Sequence, residues 1–474
     1  MHVCQRWRKL IFTSPHRLNL QILCTGEIPT STRKTLDCWP QIPIAINADG
    51  CVDPTEEDAL LTAFEHSNCV CSVTLNLSQP LLTKMAEMML KPFPALTHLR
   101  MKTLCLYYPY YFPSGFLVGS STGTSSLQEL DLSGVLPPKL HSFLSLTSDL
   151  VHLHLRKLSM NDCVFPEVMA VGLAVMTKLE NLTIQFNSGC PLPAQNIRAR
   201  VILPSLTQFQ FQGSDRYLED LVAQLDTPRL FDLTVVIQNL CARQSRDSLL
   251  QLFQFIDHAE DLKLAQFKCA HLEIFHSYSH SICFYNAQAG QHSTHFTLGE
   301  VGYHWSLDYG DQDSFSQLHS MRALLSQASA TISHVQHLSI TTVHETIWEI
   351  FRDHDESIRF FHLFDTVKTL HTVGRQFTNY LVPMLNGLSN KLVAEVLPAL
   401  HLLKCEGKPQ KIVKKLLASF IKKRRFIGHP TLTIVGKQKV FDPLQALTAR
   451  SIIIDPFYKN YTVRCARARE VLGD

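Results

Sequence analysis

Residues 96–101 read LTHLRM, 127–132 LQELDL, 150–155 LVHLHL, 179–184 LENLTI, 206–211 LTQFQF and 230–235 LFDLTV. In each hexamer the first, fourth and sixth positions are apolar, and the third and fifth are polar. On an extended chain, residues two apart share a face. The last two apolar side chains therefore enter one core, and the two polar ones face the other way. An earlier copy, VCSVTL, stands at 70–75, and the first positions from Val70 onward are 26, 31, 23, 29, 27 and 24 residues apart. Weaker copies follow at Val335, Leu338 and Ile340, at Val367 and Leu370, and at Leu400, Leu403 and Cys405.

A strand-forming motif with a period of roughly 20–29 residues is the signature of a leucine-rich repeat. One such unit cannot bury its apolar face, but stacked copies can. The segments between copies read as return helices. Pro80–Leu90 has Leu81, Leu82, Met85 and Met89 at helical spacing, and Pro166–Met176 opens with Pro and Glu, both suited to a first turn. Asp215–Leu225 follows Ser214, a suitable N-cap, and Arg246–Ile256 carries Leu249, Leu252, Phe253 and Ile256. The expected fold class is α/β: an irregular leucine-rich-repeat-like solenoid, with parallel strands on the concave face and helices on the convex face. The asparagine usual after the last strand apolar is mostly missing, although Asn187 fits, so the array is degenerate.

The chain divides on this reading into an N-terminal helix at 1–20, a linker and N-terminal cap at 21–69, and the array at 70–266. An irregular strand-rich insert follows at 267–310. It alternates and is rich in histidine and aromatics, which suggests longer strands or a hairpin. Degenerate repeats and a C-terminal cap occupy 311–435, including a basic helix at Gln410–Arg425 and a strand at Thr431–Val435. A weakly structured tail is expected at 436–474.

Composition narrows the function. Of 474 residues 45% are apolar and only 18% charged, with a net charge of +3. That balance opposes intrinsic disorder and gives no support to nucleic-acid binding by bulk charge. The 14 cysteines contain no CxxC pair, which points to reduced thiols in the cytoplasm or nucleus rather than a disulfide scaffold. No secretory leader or membrane span is read. Nucleotide-binding and nucleophile-elbow glycine motifs do not occur. His344-Glu345 begins like a zinc-protease motif, but Trp348 takes the second histidine's place. His271, His276, His280, His292, His295 and His304 lack a regularly spaced cysteine or carboxylate, so surface or satisfied histidines are favoured over zinc. No catalytic residue, metal or cofactor is assigned. The one strong charge run, Lys408 to Arg425, interleaves with apolar residues and reads as a solvated helix face, with a nuclear-import or acidic-partner role as the lesser alternative.

The polar positions of the hexamers are the candidate partner-binding residues: His98, Arg100, Glu129, Asp131, His152, His154, Asn181, Gln208, Gln210 and Asp232. They are mixed in sign, and Arg100 is expected to pair across strands with Glu129 or Asp131.

The N-terminal stretch VCQRWRKLIFTSPHRLNL, residues 3–20, reads as a one-sided helix that leaves through Ser14-Pro15. It resembles the last helix and exit of an F-box. The blocks TLDCWPQIPIAI (35–46), FPALTHL (93–99), LPSLTQFQFQG (203–213), YLEDLVAQLDTPRL (217–230) and GHPTLTI (428–434) resemble fungal F-box proteins with degenerate leucine-rich repeats. The resemblance covers most of residues 1–435, through packing and turn motifs alone. It implies a non-enzymatic substrate receptor of a cullin-RING ubiquitin ligase. Val3, Cys4, Trp7 and Leu10 would dock on the Skp-type adaptor, and the repeats would recruit an unknown target protein. The Leu-Pro start and two short helices of an F-box have no counterpart ahead of Met1, so the motif is read as an N-terminally truncated remnant. A ligase-independent repeat scaffold binding protein partners is the alternative.

Overall fold

The computed structural model describes residues 22–25, 43–50, 54–104, 110–113, 115–117, 126–137, 140–145, 147–158, 165–186, 200–237, 250–259, 268–276, 279–285, 293–299, 322, 325–327, 332–342, 354–373, 375–406, 411–429 and 432–435. The N-terminal F-box-like segment and the tail at 436–474 lie outside these residues. The strands in chain order are β1 (Ile22–Thr25), β2 (Ile44–Asp49), β3 (Val70–Leu77), β4 (His98–Thr103), β5 (Tyr110–Tyr111), β6 (Glu129–Ser133) and β7 (Val135–Leu136). Then come β8 (His152–Leu158), β9 (Asn181–Phe186), β10 (Val201–Ile202), β11 (Gln208–Gly213), β12 (Leu225–Asp226) and β13 (Asp232–Ile237). The last are β14 (Cys269–His276), β15 (Ser279–Tyr285), β16 (Ser293–Gly299), β17 (His337–Thr342), β18 (Thr369–Val373), β19 (Leu402–Glu406) and β20 (Thr433–Val435).

Each hexamer supplies one strand of a single 16-stranded sheet. From β1 to β13 the large strands pair in parallel and in sequence order. The alternation seen in the sequence is the burial pattern: β4 alternates exposed His98, Arg100 and Lys102 with buried Leu99, Met101 and Thr103. The leading leucines of the hexamers, Leu96, Leu127, Leu150, Leu179, Leu206 and Leu230, join the same core just ahead of their strands. So do the weaker copies, from Val335, Leu338 and Ile340 to Leu400, Leu403 and Cys405.

Helices carry the chain back between strands: α1 (Pro54–Glu65), α2 (Gln79–Met88), α3 (Leu140–Ser145), α4 (Pro166–Leu173), α5 (Asp215–Val222) and α6 (Leu250–His258). From α3 to α6 each packs on the next, which builds a second layer on the sheet's apolar face. Their starts follow local chemistry. Pro80 and Pro166 sit in first turns, where a missing N–H costs nothing. The Ser214 Oγ accepts a hydrogen bond from the Tyr217 N–H at 3.3 Å, capping α5. The long step from Leu96 to Leu127 is different. Among its described residues there is no helix; buried Tyr110, Phe112 and Phe116 fill the layer instead, with Phe112 and Phe116 stacked at 3.9 Å.

Three expectations change. The segment 21–69, read as linker and cap, supplies β1, β2 and α1, so the sheet starts two strands earlier. Its β-forming stretch IPIAI lacks the leucine-rich hexamer and so escaped the pattern. The described residues of the strand-rich stretch 267–310 form the expected longer strands, β14, β15 and β16, but as an antiparallel meander that remains within the sheet, in the spatial order β13-β16-β15-β14-β17. Its first strand lies beside β17 and its last beside β13, both in parallel, so only β15 runs backward. The basic helix, expected as a cap, is followed by β20, which pairs in parallel beyond β19. It is therefore one more return helix. In this C-terminal part the helices are α7 (His354–Phe361), α8 (Arg375–Gly387), α9 (Asn390–Glu395) and α10 (Lys411–Phe426).

One carboxylate ties two repeats together. Glu219 on α5 accepts hydrogen bonds from the backbone N–H groups of Gln251 and Leu252, both at 2.8 Å, at the start of α6. These are donors that a helix N-terminus leaves without intrahelical partners. Burial pushes its pKa up to about 7, with Asp215 and Asp220 adding to the rise and the two N–H bonds opposing it.

Both the core and this carboxylate have measurable consequences for stability. Leu153 is fully buried between neighbouring strands, and Leu153→Ala should cost about 3 kcal/mol in chemical denaturation, from lost transfer energy and the cavity left behind. Because the folded pKa of Glu219 lies above its ordinary 4.5, the folded chain holds this proton more tightly. That contribution is complete below pH 4.5 and is lost as the pH rises to about 7. Glu219→Gln should flatten this part of the stability profile, read as the difference in denaturation midpoint between variant and wild type across the window.

Candidate partner-binding face

The parallel register lines up the outward residues of successive strands. His98, Glu129, His152, Asn181, Gln208 and Asp232 form one row across β4, β6, β8, β9, β11 and β13. Arg100, Asp131, His154, Thr183, Gln210 and Thr234 form the next. All ten candidate face residues thus fall in two adjacent rows. Val3, Cys4, Trp7 and Leu10, the candidate adaptor residues, lie outside the described residues.

The rows are cross-linked. Arg100 reaches both acids expected for it, with Nη2 3.2 Å from Glu129 Oε1 and Nε 3.1 Å from Asp131 Oδ2. From the other side Arg156 Nη1 lies 3.3 Å from the same Asp131 oxygen. Asp131 is only 2% exposed. A buried carboxylate is costly unless paired, and here two guanidinium groups from neighbouring strands share that task. Beyond it the contacts are hydrogen bonds without an acid: His154 Nδ1 and Thr183 Oγ1 are 2.9 Å apart, and Asn181 Nδ2 and His152 Nδ1 are 2.6 Å apart. Burial holds the His154 imidazole below its usual pKa; Arg156 and His152 push the same way, while Asp131 and Glu129 oppose them. Outward positions on β9 and β11 are Asn181, Thr183, Gln185, Gln208, Gln210 and Gln212, an uncharged amide and hydroxyl surface.

One feature of this face escaped the sequence reading. The β8–β9 register shifts between Leu155 and Leu158, and Lys157 takes φ +55°. The extra residue is a β-bulge, a device that re-aims side chains. It restores Leu158 to the core and leaves Arg156 and Lys157, consecutive residues, both outside that core. The only trace in the sequence is the spacing, since apolar residues at 153 and 155 are followed by one at 158.

The basic run plays a partly structural role. Arg424 is 1% exposed, and its guanidinium donates to the carbonyls of Leu397, Pro398 and Leu400 at 3.1, 3.1 and 2.8 Å. Burial lowers its pKa to about 10. Lys423 Nζ donates to the carbonyls of Asn386 and Leu388, at the end of α8, where a cation also meets the negative end of the helix dipole. Two charges of the apparent patch thus hold the preceding turn. In the histidine-rich insert, His271, Cys283 and His295 occupy one register row of β14, β15 and β16. No group of three His, Cys, Asp or Glu residues among the described residues is placed to hold a metal ion, and no described helix is long and apolar enough to cross a membrane.

Arg100→Ala and Arg156→Ala each leave Asp131 one guanidinium, whereas the double variant leaves it none. The pair should therefore destabilise the chain by more than the sum of the single changes, with a coupling of about 1 kcal/mol in a double-mutant cycle. Additive costs would show that the two guanidinium groups do not act together on Asp131.

No protein-family model matches the chain, and no curated protein matches it. Among solved structures it is similar to a leucine-rich repeat-containing protein, LegL7 from Legionella pneumophila, at 11% identity and a TM-score of 0.32, over 80% of this chain and 98% of that one.

Proposed function

We propose that this protein is a non-enzymatic, leucine-rich-repeat-like solenoid that binds protein partners through the polar face of its sheet. The observation that carries this reading is the registered set of rows: side chains from six successive strands form one ordered, polar, pre-arranged surface, the usual use of a stacked-repeat sheet. Ion pairs and hydrogen bonds between neighbouring strands fix several of those side chains before a partner arrives, which lowers the entropy cost of binding.

The finer reading adds a second partner. The segment VCQRWRKLIF, residues 3–12, resembles the last helix of an F-box, with Val3, Cys4, Trp7 and Leu10 on its apolar side. On this reading the N-terminal helix docks on a Skp-type adaptor, and the repeats present a target to a cullin-RING ubiquitin ligase in the cytoplasm or nucleus.

Co-expression of the full chain with a Skp-type adaptor tests it. Adaptor should co-purify with the wild-type chain and be lost from Trp7→Ala/Leu10→Ala, whose thermal transition is unchanged. No retention by the wild-type chain would remove the ligase role and leave a repeat scaffold.

A further inference from the structure

At the C-terminal ends of β4, β6 and β8 the register places Ser133 between Lys102 and Arg156. Three irregularities meet there. Ser133 is short and 6% exposed. Gly134 follows at φ +68°, and a Cβ on it would lie 2.6 Å from Thr103 Cγ2, so the chain must turn there on a glycine. The β8 bulge adds Lys157 beside Arg156, in a left-handed conformation that a non-glycine residue adopts only at a cost. The register thus sets a short side chain between two long cationic ones, and this step in side-chain length is the notch.

The charges around this notch are unbalanced. Asp131 and Glu129 are engaged by Arg100, and Asp131 also by Arg156. Neither Lys102 nor Lys157 has an acid within ion-pair distance among the described residues. They feel each other instead: burial, and then the charge of Lys102, lower the pKa of Lys157. Two unpaired ammonium groups held in one field, at a strained bulge, are stabilised by an incoming anion.

We propose that this notch seats a carboxylate of an acidic peptide segment on a protein partner, held by Lys102, Lys157 and Arg156 and by a hydrogen bond from the Ser133 hydroxyl. The assignment rests on the reading of the sheet face as a protein-binding surface and names the chemistry of the partner. A peptide is favoured over a nucleic acid. The cationic surplus here is two lysines, few for a run of successive phosphates, and stacking on aromatic rings, on which single strands rely, has no Phe, Tyr or Trp at the outward positions of β4, β6 or β8. The amide surface of β9 and β11 beside it suits the backbone groups of an extended peptide.

Fluorescence anisotropy of the full chain with a fluorescein-labelled hexaglutamate peptide tests this. Saturable binding that weakens with added salt is expected, and Lys102→Glu/Lys157→Glu should weaken it at least about tenfold. Lys391→Glu, a reversal of an exposed charge on α9, should leave it unchanged. If the double reversal alters the circular dichroism spectrum, Lys102→Gln/Lys157→Gln, which removes charge without adding repulsion, should still weaken binding severalfold. No binding by the wild-type chain, equal loss in Lys391→Glu, or tighter binding of a single-stranded RNA oligonucleotide at the same salt would overturn the assignment. None of these outcomes touches adaptor retention, so failure here is separable from failure of the receptor reading.

Discussion

Parallel pairing in straight register is the constraint on which this molecule depends. A strand such as β6 buries Leu130 and Leu132 only because a strand of the same pattern lies on each side and a helix or aromatic layer lies beneath. No unit closes its own core, so each repeat takes its stability from its neighbours. The same register then decides the opposite face. Once Leu99, Leu130, Leu153, Leu182, Phe209 and Leu233 are aligned inside, the polar residues beside them are aligned outside.

The outward rows show how such a face avoids the cost of its own charges. Asp131 is buried, and a lone carboxylate there would be expensive. Arg100 and Arg156 approach it from the two adjacent strands, so charge neutralisation is spread over three repeats. Toward β11 the ionic contacts give way to amides and hydroxyls. The face is thus graded: an ionic portion with two surplus lysines lies next to a neutral portion rich in glutamine.

Departures from regularity are accommodated where the two layers tolerate them. In the long crossing after β4, stacked Phe112 and Phe116 fill the layer among the described residues. The meander at β14–β16 reverses one strand while its outer two keep parallel partners, so the sheet continues through it. Near the C-terminal end, Arg424 and Lys423 satisfy carbonyls that the turns after α8 and α9 leave open. Charges that resemble a binding patch in a linear sequence are there part of the frame.

Much of this was legible in the chain itself. The hexamers marked the strands, their core residues and the ten outward candidates, because side-chain alternation in a strand has a fixed period of two. Ser214, Pro80 and Pro166 marked helix starts, because capping is local chemistry. The pairing of Arg100 with its acids could be anticipated, because register follows from the shared pattern. What depended on the tertiary structure was longer in range. The strands before Val70 carry no hexamer, and their place is set by the edge that β3 offers. The order β16-β15-β14 depends on which edges of β13 and β17 are open. The bulge at Lys157 arises because Leu158 must regain the core, and burial of Arg424 because distant carbonyls need a donor. The sequence by itself determined the repeat and its two faces, since both are consequences of local periodicity. Only the tertiary structure decided which charges are spent on neighbours and which are not, since that depends on distances between residues some 25 to 55 positions apart in the chain.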